Sequence, residues 1–384
     1  MTAIVLHLSH TDIENDARIL RELSALAVNP ALRVVAIGLR DPSGPQTQST
    51  DTQLDIRSVQ LPKIIERVPR LLRMTIKVAL LTAFMVIRGI RHRPTVVHCH
   101  DTPVLFAGVL IKLFVRCKLI YDAHELESQK RTRSRWFSRI TFYIEWMCWR
   151  WIDLLISVSE SICEWYDQHL GNKPHVVVLN APVSDSGDGA ADSCGSTTYF
   201  HETYTITEGS LVYLYLGILS PGRGIEACLQ VFSDPSINHH VVFMGWGELE
   251  GVIREFAVSE GNIHLHEPVP HDQVVSLVAS ADVGLCLIEN TSLSDFYCLP
   301  NKLFEYAAAR IPVIASDFPE IRRVVDLHAL GLCCEPEAES LKQIVLRLSK
   351  CKPSFNGREL GALSWGAQAK ALTDAYGQLL GHGS

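Results

Sequence analysis

The chain has none of the spacings that mark a zinc-binding or disulfide-rich protein. Its eleven cysteines are scattered along 384 residues, and no two of them form a Cys-x-x-Cys pair. That spacing fits no zinc site. Scattered cysteines are typical of a reducing cytosol, and we interpret the adjacent pair Cys333 and Cys334 as core packing.

We expect no segment that directs this chain into or across a membrane. Its first residues have an apolar strand pattern, not a basic region followed by an apolar core and a cleavage site. We therefore expect no signal peptide. The apolar run at residues 78–87 is far shorter than the ~20 residues that span a bilayer. We interpret this run as a core helix.

Positive charge is in deficit, since the net charge is −7, and this argues against a general nucleic-acid binder. Charged residues make up 20% of the chain and hydrophobic residues 47%. This balance indicates large buried sheets, a membrane-facing surface, or both. A chain of 384 residues is too long for one typical core and suits two domains.

Short apolar runs alternate with helical stretches along the chain. Apolar runs without polar alternation are expected for parallel strands buried on both faces, and strands that alternate with helices form right-handed βαβ units. The predicted fold class is therefore α/β, with two Rossmann-like, doubly wound parallel sheets. The predicted strands lie near residues 3–8, 33–38, 56–61, 96–99, 118–122, 154–158, 176–179, 211–216, 241–244, 283–287 and 312–315.

A small, polar and glycine-rich stretch at residues 184–193 separates the two halves. Its composition is typical of a linker. We therefore expect an N-terminal domain at residues 1–183, a linker at 184–206 and a C-terminal domain at 207–362.

Polar side chains follow two neighbouring strands of the predicted N-terminal sheet. His98, His100 and Asp101 end one strand, and Asp122 and His124 end the next. Ligands bind at the carboxyl ends of strands in such folds, so His124, His100 and Asp101 are candidate catalytic residues. We expect Asp122 to support them and His98 to lie in the core. Helix capping or loop orientation is the alternative role for each, and no further ligand spacing supports a metal site.

The first strand-to-helix turn, at residues 9–18, is also polar. Asn15 or Asp16 is a good N-cap for the helix that follows. Capping alone explains these two residues as well as a functional role does.

The C-terminal half contains turns that suit a phosphate ligand. The turn at residues 215–226 carries Gly217 and Gly222, whose backbone amides and following helix N-terminus can face phosphate. Arg223 in the same turn adds a cation capable of bidentate binding. Gly245 and Gly247 lie in the next such turn, where a ligand can approach the backbone closely. Plain turn geometry is the alternative explanation for all four glycines.

The strongest signal is the run LPNKLFEY at residues 299–306, which predicts a short helix between two apolar strands. The ammonium group of Lys302 can hold a diphosphate as a point charge. The Glu305 carboxylate, three residues later, faces the same way and can accept hydrogen bonds from a ribose. The alternative is a surface ion pair between these two side chains.

These motifs, in this order from Asp16 to about Glu320, resemble the family 4 glycosyltransferases of the GT-B fold. The resemblance implies two Rossmann-like domains that face a central cleft, a nucleotide-diphosphate sugar as donor and a retaining reaction. It also implies that residues 363–384 form a helix that packs back on the N-terminal domain. The chain has no Asp-x-Asp sequence, with which many GT-A glycosyltransferases hold a divalent cation. We therefore expect neither a metal nor another cofactor.

The resemblance also implies roles for individual residues. It places His124 beside the transferred sugar, Glu305 on the ribose, Val269 beside the base, and Asn15 and Asp16 on the acceptor side. The residues it implies in donor binding are Gly217, Gly222, Arg223, Gly245, Gly247, Val269, Asn301, Lys302, Leu303 and Glu305.

The chain departs from the family pattern at two positions. Family 4 enzymes carry two glutamates in a Glu-x7-Glu arrangement, and Tyr297 stands where the first one is expected. Either Asp295 or nearby backbone replaces that glutamate, or the sugar is positioned differently. A second cation expected near Arg223 is replaced by Ile218 or Leu219. Two other functions therefore stay open: a non-catalytic GT-B nucleotide-binding or scaffold subunit, and another GT-B enzyme such as a nucleotide-sugar epimerase.

Two clusters of cations and aromatic residues predict contact with an anionic membrane. The first lies on one face of a predicted helix at residues 63–77 and consists of Lys63, Arg67, Arg70, Arg73 and Lys77. The second, at residues 131–139, contains Arg131, Arg133, Arg135, Trp136, Phe137 and Arg139 and leads into Trp146, Trp149 and Trp151. We expect a cytoplasmic protein at the inner face of the cell membrane, with a lipid-linked or growing saccharide as acceptor. A solvated cationic face is the alternative.

Overall fold

The computed structural model describes residues 2–39, 54–59, 70–131, 134–182, 198–351 and 353–381. They form two compact units. Unit 1 contains the residues up to Val178 and those from Ala369 onward, and unit 2 contains Leu179–Gln368. The glycine-rich stretch at 184–193, predicted as part of a linker, lies outside the described residues. The end of the predicted linker is helical, since α6 (Tyr199–Thr203) lies there, and this short helix belongs to unit 2.

Unit 1 is built on a seven-stranded sheet with the order β3-β2-β1-β4-β5-β6-β7, in which every neighbouring pair is parallel. Its strands are β1 (Ala3–Asp12), β2 (Leu32–Leu39), β3 (Leu54–Val59), β4 (Val96–His100), β5 (Lys118–Ala123), β6 (Leu154–Ser157) and β7 (His175–Val177). Its helices are α1 (Ala17–Ala27), α2 (Arg70–His92), α3 (Thr102–Val115), α4 (Arg135–Trp149), α5 (Glu160–Leu170) and most of α14 (Trp365–Leu380).

Unit 2 is built on a six-stranded, fully parallel sheet with the order β10-β9-β8-β11-β12-β13. Its strands are β8 (Val212–Leu216), β9 (His240–Met244), β10 (Ile263–His266), β11 (Val283–Cys286), β12 (Val313–Ser316) and β13 (Gly331–Cys334). Besides α6, its helices are α7 (Ile225–Phe232), α8 (Glu250–Ser259), α9 (His271–Val278), α10 (Leu293–Phe296), α11 (Asn301–Ala308), α12 (Pro319–His328) and α13 (Ala338–Leu348).

The predicted fold class is confirmed, because both units are parallel sheets covered by crossover helices. The central strands are apolar and buried; all five residues of β8 are buried, for example. Such strands lose water on both faces, which stabilises the sheet by roughly 25 cal/mol per Å² of apolar surface. Two strands, β10 and β13, were not predicted. Both lie at the edges of the second sheet, where partial exposure permits His264, His266 and Gly331 to interrupt the apolar pattern.

The run at residues 78–87 lies within α2, and its Leu81 and Met85 are buried. Its other apolar side chains include Val78, Leu80 and Ile87, which are exposed. Of the first basic cluster, residues 63 and 67 lie outside the described residues. Within the part of the chain that the structure describes, no helix combines the length and the hydrophobicity needed to cross a bilayer.

Candidate active site

Helix α11, which carries the LPNKLFEY run, is fixed to the sheet of unit 2 by Tyr306. The Tyr306 hydroxyl accepts a hydrogen bond from Leu216 N at 3.0 Å and lies 2.9 Å from Leu214 O, to which it donates. Its ring lies over Gly284, where an added Cβ would lie 2.5 Å from the ring. The fully buried Tyr306 thus sets the position of the residues one turn earlier in the helix.

The Lys302 ammonium group is buried, and Nζ makes no hydrogen bond to any residue that the structure describes. Nζ lies 3.6 Å from the centre of the Tyr215 ring, a cation–π contact. It also lies close to the turn after β8, because a Cβ added to Gly217 would be 3.9 Å away. Burying a charge without a hydrogen-bonding partner is costly. Because no described residue supplies that partner, the Lys302 ammonium group is a candidate for binding an anion.

The turns that follow β8 and β9 are held together through their backbones. Gly217 N donates to Met244 O at 3.0 Å, and Leu219 N donates to Trp246 O at 2.9 Å. A Cβ on Gly245 would lie 1.8 Å from Gly217 O, and one on Gly247 would lie 2.2 Å from Leu219 O. Glycine is required at both positions by this close approach alone. Their predicted contact with a nucleotide remains a prediction.

Arg223 lies in the same turn region and has a carboxylate nearby. Its Nη1 atom is 3.7 Å from Asp295 Oδ1. Oδ2 of Asp295 accepts hydrogen bonds from the hydroxyl groups of Thr291 and Ser292, both at 2.7 Å. Asp295 therefore fixes the start of α10 and partly balances the Arg223 charge. Tyr297, which stands at the position of the missing glutamate, is the C-cap of α10 and follows Asp295 by two residues.

The other predicted donor residues are placed differently from one another. Asn301 is exposed at the start of α11, which has no side-chain hydrogen bond at its cap, and Glu305 is half-buried one turn later. Val269 lies in the loop between β10 and α9 and packs partly against the core. Leu303 is fully buried in the core of unit 2. Its side chain therefore packs the helix, and any ligand contact at this position would involve the backbone.

Unit 1 brings His100, Asp101 and His124 together at the carboxyl ends of β4 and β5. His124 Nε2 lies 3.0 Å from Asp122 Oδ2 and 3.2 Å from His100 Nδ1. The backbone N–H of His124 donates to Asp101 Oδ1 at 3.2 Å, and its Nδ1 lies 3.5 Å from Asp101 Oδ2. The residues are adjacent because His100 and Asp122 are register partners in the sheet.

The charge of His124 is set by the two carboxylates beside it. Burial opposes the protonated form, but Asp101 and Asp122 outweigh burial and raise the pKa of His124 to about 9. Burial also disfavours the Asp122 charge, whereas Arg18 and His124 hold the pKa of Asp122 well below its usual range. His124 is therefore an imidazolium at neutral pH. This favours donation of hydrogen bonds from both ring nitrogens over action as a general base.

Asp101 has an unusual backbone conformation, with φ 65° and ψ 165°. This region is occupied almost only by glycine, and a side chain there costs roughly 1–3 kcal/mol. Asp101 precedes α3 without capping it through its side chain. Its carboxylate faces His124 instead, and a strained residue beside a charged histidine supports the prediction of a functional role.

Asp16 and Asn15 have clear local functions. Asp16 is the N-cap of α1, because its Oδ1 accepts hydrogen bonds from the backbone of Arg18 and Ile19, both at 3.1 Å. Asn15 donates to Asp12 Oδ2 at 3.0 Å. Capping thus explains Asp16, and the predicted acceptor role of both residues remains a prediction.

Four important members of the unit 1 network were not predicted as site residues. His7 Nδ1 lies 2.9 Å from His100 Nε2, and Arg18 Nη2 donates to Asp122 Oδ1 at 3.1 Å. Glu22 Oε1 lies 3.0 Å from Arg18 Nε, and the hydroxyl of Tyr376 on α14 lies 2.7 Å from His98 Nδ1. One feature of the sequence could have indicated His7, because a histidine is unusual within an apolar strand. In the structure, His7 pairs in register with His98.

The buried histidines and carboxylates also approach the geometry of a metal site. In two groups the possible ligand atoms lie within 4.8 Å of one another: His7 with His98 and His100, and Glu22 with His98, His100 and Asp122. Arg18, however, lies within 3.1 Å of both carboxylates and already supplies a positive charge. Burial is also the main cause that lowers the pKa of the three histidines, so they are neutral without an ion.

Comparisons with known proteins agree with this architecture. A family model described as Glycosyltransferase Family 4 matches residues 18–185, and one described as Glycosyl transferases group 1 matches residues 210–350. A comparison with curated protein sequences gave no significant match.

Three solved structures illustrate the likeness of fold. Sucrose-phosphate synthase from Thermosynechococcus elongatus has a TM-score of 0.73 at 15% identity, over 99% of this chain and 100% of that one. Trehalose 6-phosphate synthase from Burkholderia multivorans has a TM-score of 0.71 at 12% identity, over 100% and 99%. HepE of Anabaena in complex with UDP has a TM-score of 0.67 at 12% identity, over 99% and 100%.

The two family matches decide between the functions left open by the sequence. They lie in order along the chain and each falls on one parallel sheet, the first on unit 1 and the second on unit 2. The chain therefore belongs to the family 4 glycosyltransferases of the GT-B type and is a glycosyltransferase.

Proposed function

We propose that this glycosyltransferase takes a nucleotide-diphosphate sugar as donor and binds its diphosphate at Lys302. The observation that carries the proposal is the buried ammonium group beside the Gly217 turn, which has no hydrogen-bond partner among the residues that the structure describes. Arg223 would add a second positive charge to the proposed diphosphate site. The start of α11, which has no side-chain cap, adds the positive end of the helix dipole. HepE, which shares the fold, is known in complex with UDP and with UDP-glucose, so UDP is the first nucleotide to test.

The proposed reaction retains the configuration of the anomeric carbon, as family 4 membership implies. Positive charge at Lys302 and Arg223 would stabilise the nucleotide diphosphate as it leaves. Glu305 would accept hydrogen bonds from the ribose. His124, as an imidazolium, would donate a hydrogen bond to the sugar, and no metal would take part. The anomeric configuration of the product, measured by NMR, tests retention directly.

The proposed acceptor is a lipid-linked or growing saccharide at the cytoplasmic face of the membrane. Support comes from the exposed arginines and aromatic residues of unit 1, among them Arg131, Arg135 and Trp136. Such side chains favour the interface of an anionic bilayer.

The donor proposal is tested by thermal shift with UDP, other nucleoside diphosphates and their sugars. A ligand that binds only the folded protein at about 100 times its Kd stabilises it by ~2.7 kcal/mol. We expect Lys302→Ala to weaken binding about tenfold or more, since hydrogen bonds to charged groups contribute ~1.5–3 kcal/mol. Glu305→Ala should weaken the binding of nucleotides but leave the binding of inorganic diphosphate unchanged, because diphosphate has no ribose.

Lys342→Ala is the matched control. This lysine is in the same unit, but its ammonium group is already paired with Asp234. The variant should bind nucleotides like the wild type. A wild type that binds no nucleotide, or a Lys302→Ala variant that binds as well as the wild type, would show that the proposed site is wrong.

A further inference from the structure

Helix α4 exposes a continuous apolar stripe to solvent. Trp136, Ile140, Tyr143 and Met147 recur at spacings of four, three and four residues, which places them on one side of a helix. They are 75%, 51%, 59% and 39% exposed, respectively. We call these four residues the α4 stripe. Contiguous exposed apolar surfaces often mark sites of interaction with a protein or a membrane, whereas single exposed apolar side chains do not.

The fold of unit 1 does not need the α4 stripe. The opposite side of the helix carries the buried residues Thr141, Glu145, Cys148 and Trp149. Trp149 stacks on Tyr166 and donates to Gly171 O at 2.7 Å, whereas Glu145 accepts hydrogen bonds from Thr102, Tyr121 and Tyr166. The helix is therefore anchored on its inner face, and its outer face is left for a partner.

The exposed charges of α4 itself and of the residue that follows it are of one sign. Arg135 and Arg139 are exposed on the helix, Arg150 follows it, and the only acidic residue of α4 is the buried Glu145. The whole chain has a net charge of −7, so this surface is cationic against an acidic background. Charge complementarity therefore points to an anionic partner.

The neighbouring helix also exposes apolar side chains. α3 packs against α4 in the layer on one face of the sheet, and its Phe106, Leu113 and Phe114 are exposed. Arg116, which follows α3, adds another cation. Trp and Tyr beside arginines are the side chains that favour the boundary between lipid headgroups and acyl chains.

We propose that the α4 stripe inserts into the surface of an anionic lipid bilayer, with α4 lying in the plane of the interface. Interfacial helices of this type bury their apolar face ~5–10 Å into the headgroup and acyl boundary. Arg135, Arg139 and Arg150 then contact lipid phosphates. This inference rests on the membrane acceptor of the proposed function and identifies the contacting surface, which is more specific than the cationic cluster alone.

The test is flotation of the full-length protein with vesicles of phosphatidylcholine alone or mixed in equal parts with phosphatidylglycerol. The wild type should float with the mixed vesicles and bind the neutral ones at least about tenfold more weakly. The double variant Ile140→Glu with Tyr143→Glu should lose about tenfold or more of its binding to the mixed vesicles. Both side chains are exposed, so the fold should be retained.

Val258→Glu is the control, because Val258 is 86% exposed on α8 of unit 2 and lies outside the proposed surface. It should float like the wild type. A second measurement uses phosphatidylcholine brominated on its acyl chains, included in the mixed vesicles. Tryptophan fluorescence should be quenched in the wild type, and Trp136→Phe should reduce that quenching.

Three results would overturn the inference. They are a wild type that does not float with the mixed vesicles, a double variant that floats equally well, and a wild-type dimer that the double variant converts to monomers. The last result would assign the stripe to a second copy of the chain. Nucleotide thermal shifts, measured on the same variants, keep failure here separate from failure of the donor site.

Discussion

The Asp122 carboxylate connects side chains from several elements of unit 1. Oδ1 accepts a hydrogen bond from Arg18 of α1, and Oδ2 lies 3.0–3.4 Å from ring nitrogens of His98, His100 and His124. All except His124 are fully or almost fully buried. Because Asp122 contacts His124 directly, it helps to orient the ring of the predicted catalytic histidine and, together with Asp101, sets its charge.

The first prediction concerns Asp122→Asn. The change removes one of the two carboxylates that raise the pKa of His124 to about 9, so that pKa should fall towards its ordinary value. Loss of a charge-assisted hydrogen bond, ~1.5–3 kcal/mol, should lower kcat by about tenfold or more. NMR titration of His124 measures the pKa, and steady-state kinetics at several pH values measures the activity.

Glu160→Gln is the control for this prediction. Its carboxylate lies 3.0 Å from His175 Nε2 in the same unit, but the pair is partly exposed, and Glu160 is not among the main groups that set the pKa of His124. Activity should be unchanged. If Asp122→Asn left the pKa of His124 near 9, Asp101 alone would set it. If purified wild type held a stoichiometric metal that the variant lost, the cluster would be a metal centre.

At this scale the sequence indicated part of the site. His100, Asp101 and His124 were predictable because polar residues at the ends of neighbouring parallel strands must lie close together. The contribution of His7 and Arg18 was not, because it depends on strand register and on a long side chain that crosses from α1 to β5. Neither property has a local pattern in the sequence.

At the scale of elements, α11 is held on the sheet by the Tyr306 hydroxyl group together with its buried apolar side chains. Tyr306→Phe should destabilise unit 2 by ~1–3 kcal/mol, because the backbone N–H of Leu216 and the carbonyl of Leu214 both lose a buried hydrogen bond. It should also weaken nucleotide binding, since Lys302 lies on the same helix. Chemical denaturation and thermal shift with UDP measure the two effects.

Tyr213→Phe is a closely matched control. Tyr213 lies on β8 and is fully buried, but its hydroxyl makes no hydrogen bond to a described residue. Removal of an unsatisfied hydroxyl group should be neutral or slightly stabilising. Equal destabilisation by both variants would show that ring packing fixes α11, and not the Tyr306 hydrogen bonds.

The elements were predicted well where burial imposes a uniform apolar pattern, and both strands that were missed are edges of the second sheet. The central strands β8, β9, β11 and β12 were all found, because each is buried on both faces. The edge strand β13 reads GLCC, and Gly331 at its start approaches Val313 O so closely that an added Cβ would lie 2.1 Å away. A glycine placed for strand contact looks like a turn residue in the sequence.

At the scale of the molecule, each unit has its own sheet and its own buried side chains. The predicted donor residues Gly217, Arg223, Lys302 and Glu305 all belong to unit 2. We therefore expect UDP at about 100 times its Kd to stabilise unit 2 by ~2.7 kcal/mol. In calorimetry, the midpoint temperature of one transition should rise and that of the other should stay unchanged. Tyr306→Phe should lower the midpoint temperature of the same transition, which would identify that transition as the unfolding of unit 2.

Either of two calorimetric results would contradict this prediction. A nucleotide shift in the transition that Tyr306→Phe leaves unchanged would place the nucleotide in unit 1. A single transition that moves as a whole would mean that the units unfold together, so that two-state analysis of unit 2 alone would not apply.

The left-handed backbone at Asp101 has a consequence for stability. Glycine adopts φ 65° and ψ 165° without a steric penalty, so Asp101→Gly relieves strain of roughly 1–3 kcal/mol. It also removes the carboxylate beside His124. The gain from relieved strain is offset in part, because the backbone N–H and the charged ring of His124 lose this carboxylate as a partner. If Asp101 acts in catalysis as predicted, the strain at this residue is stability that the fold gives up for the function of the site.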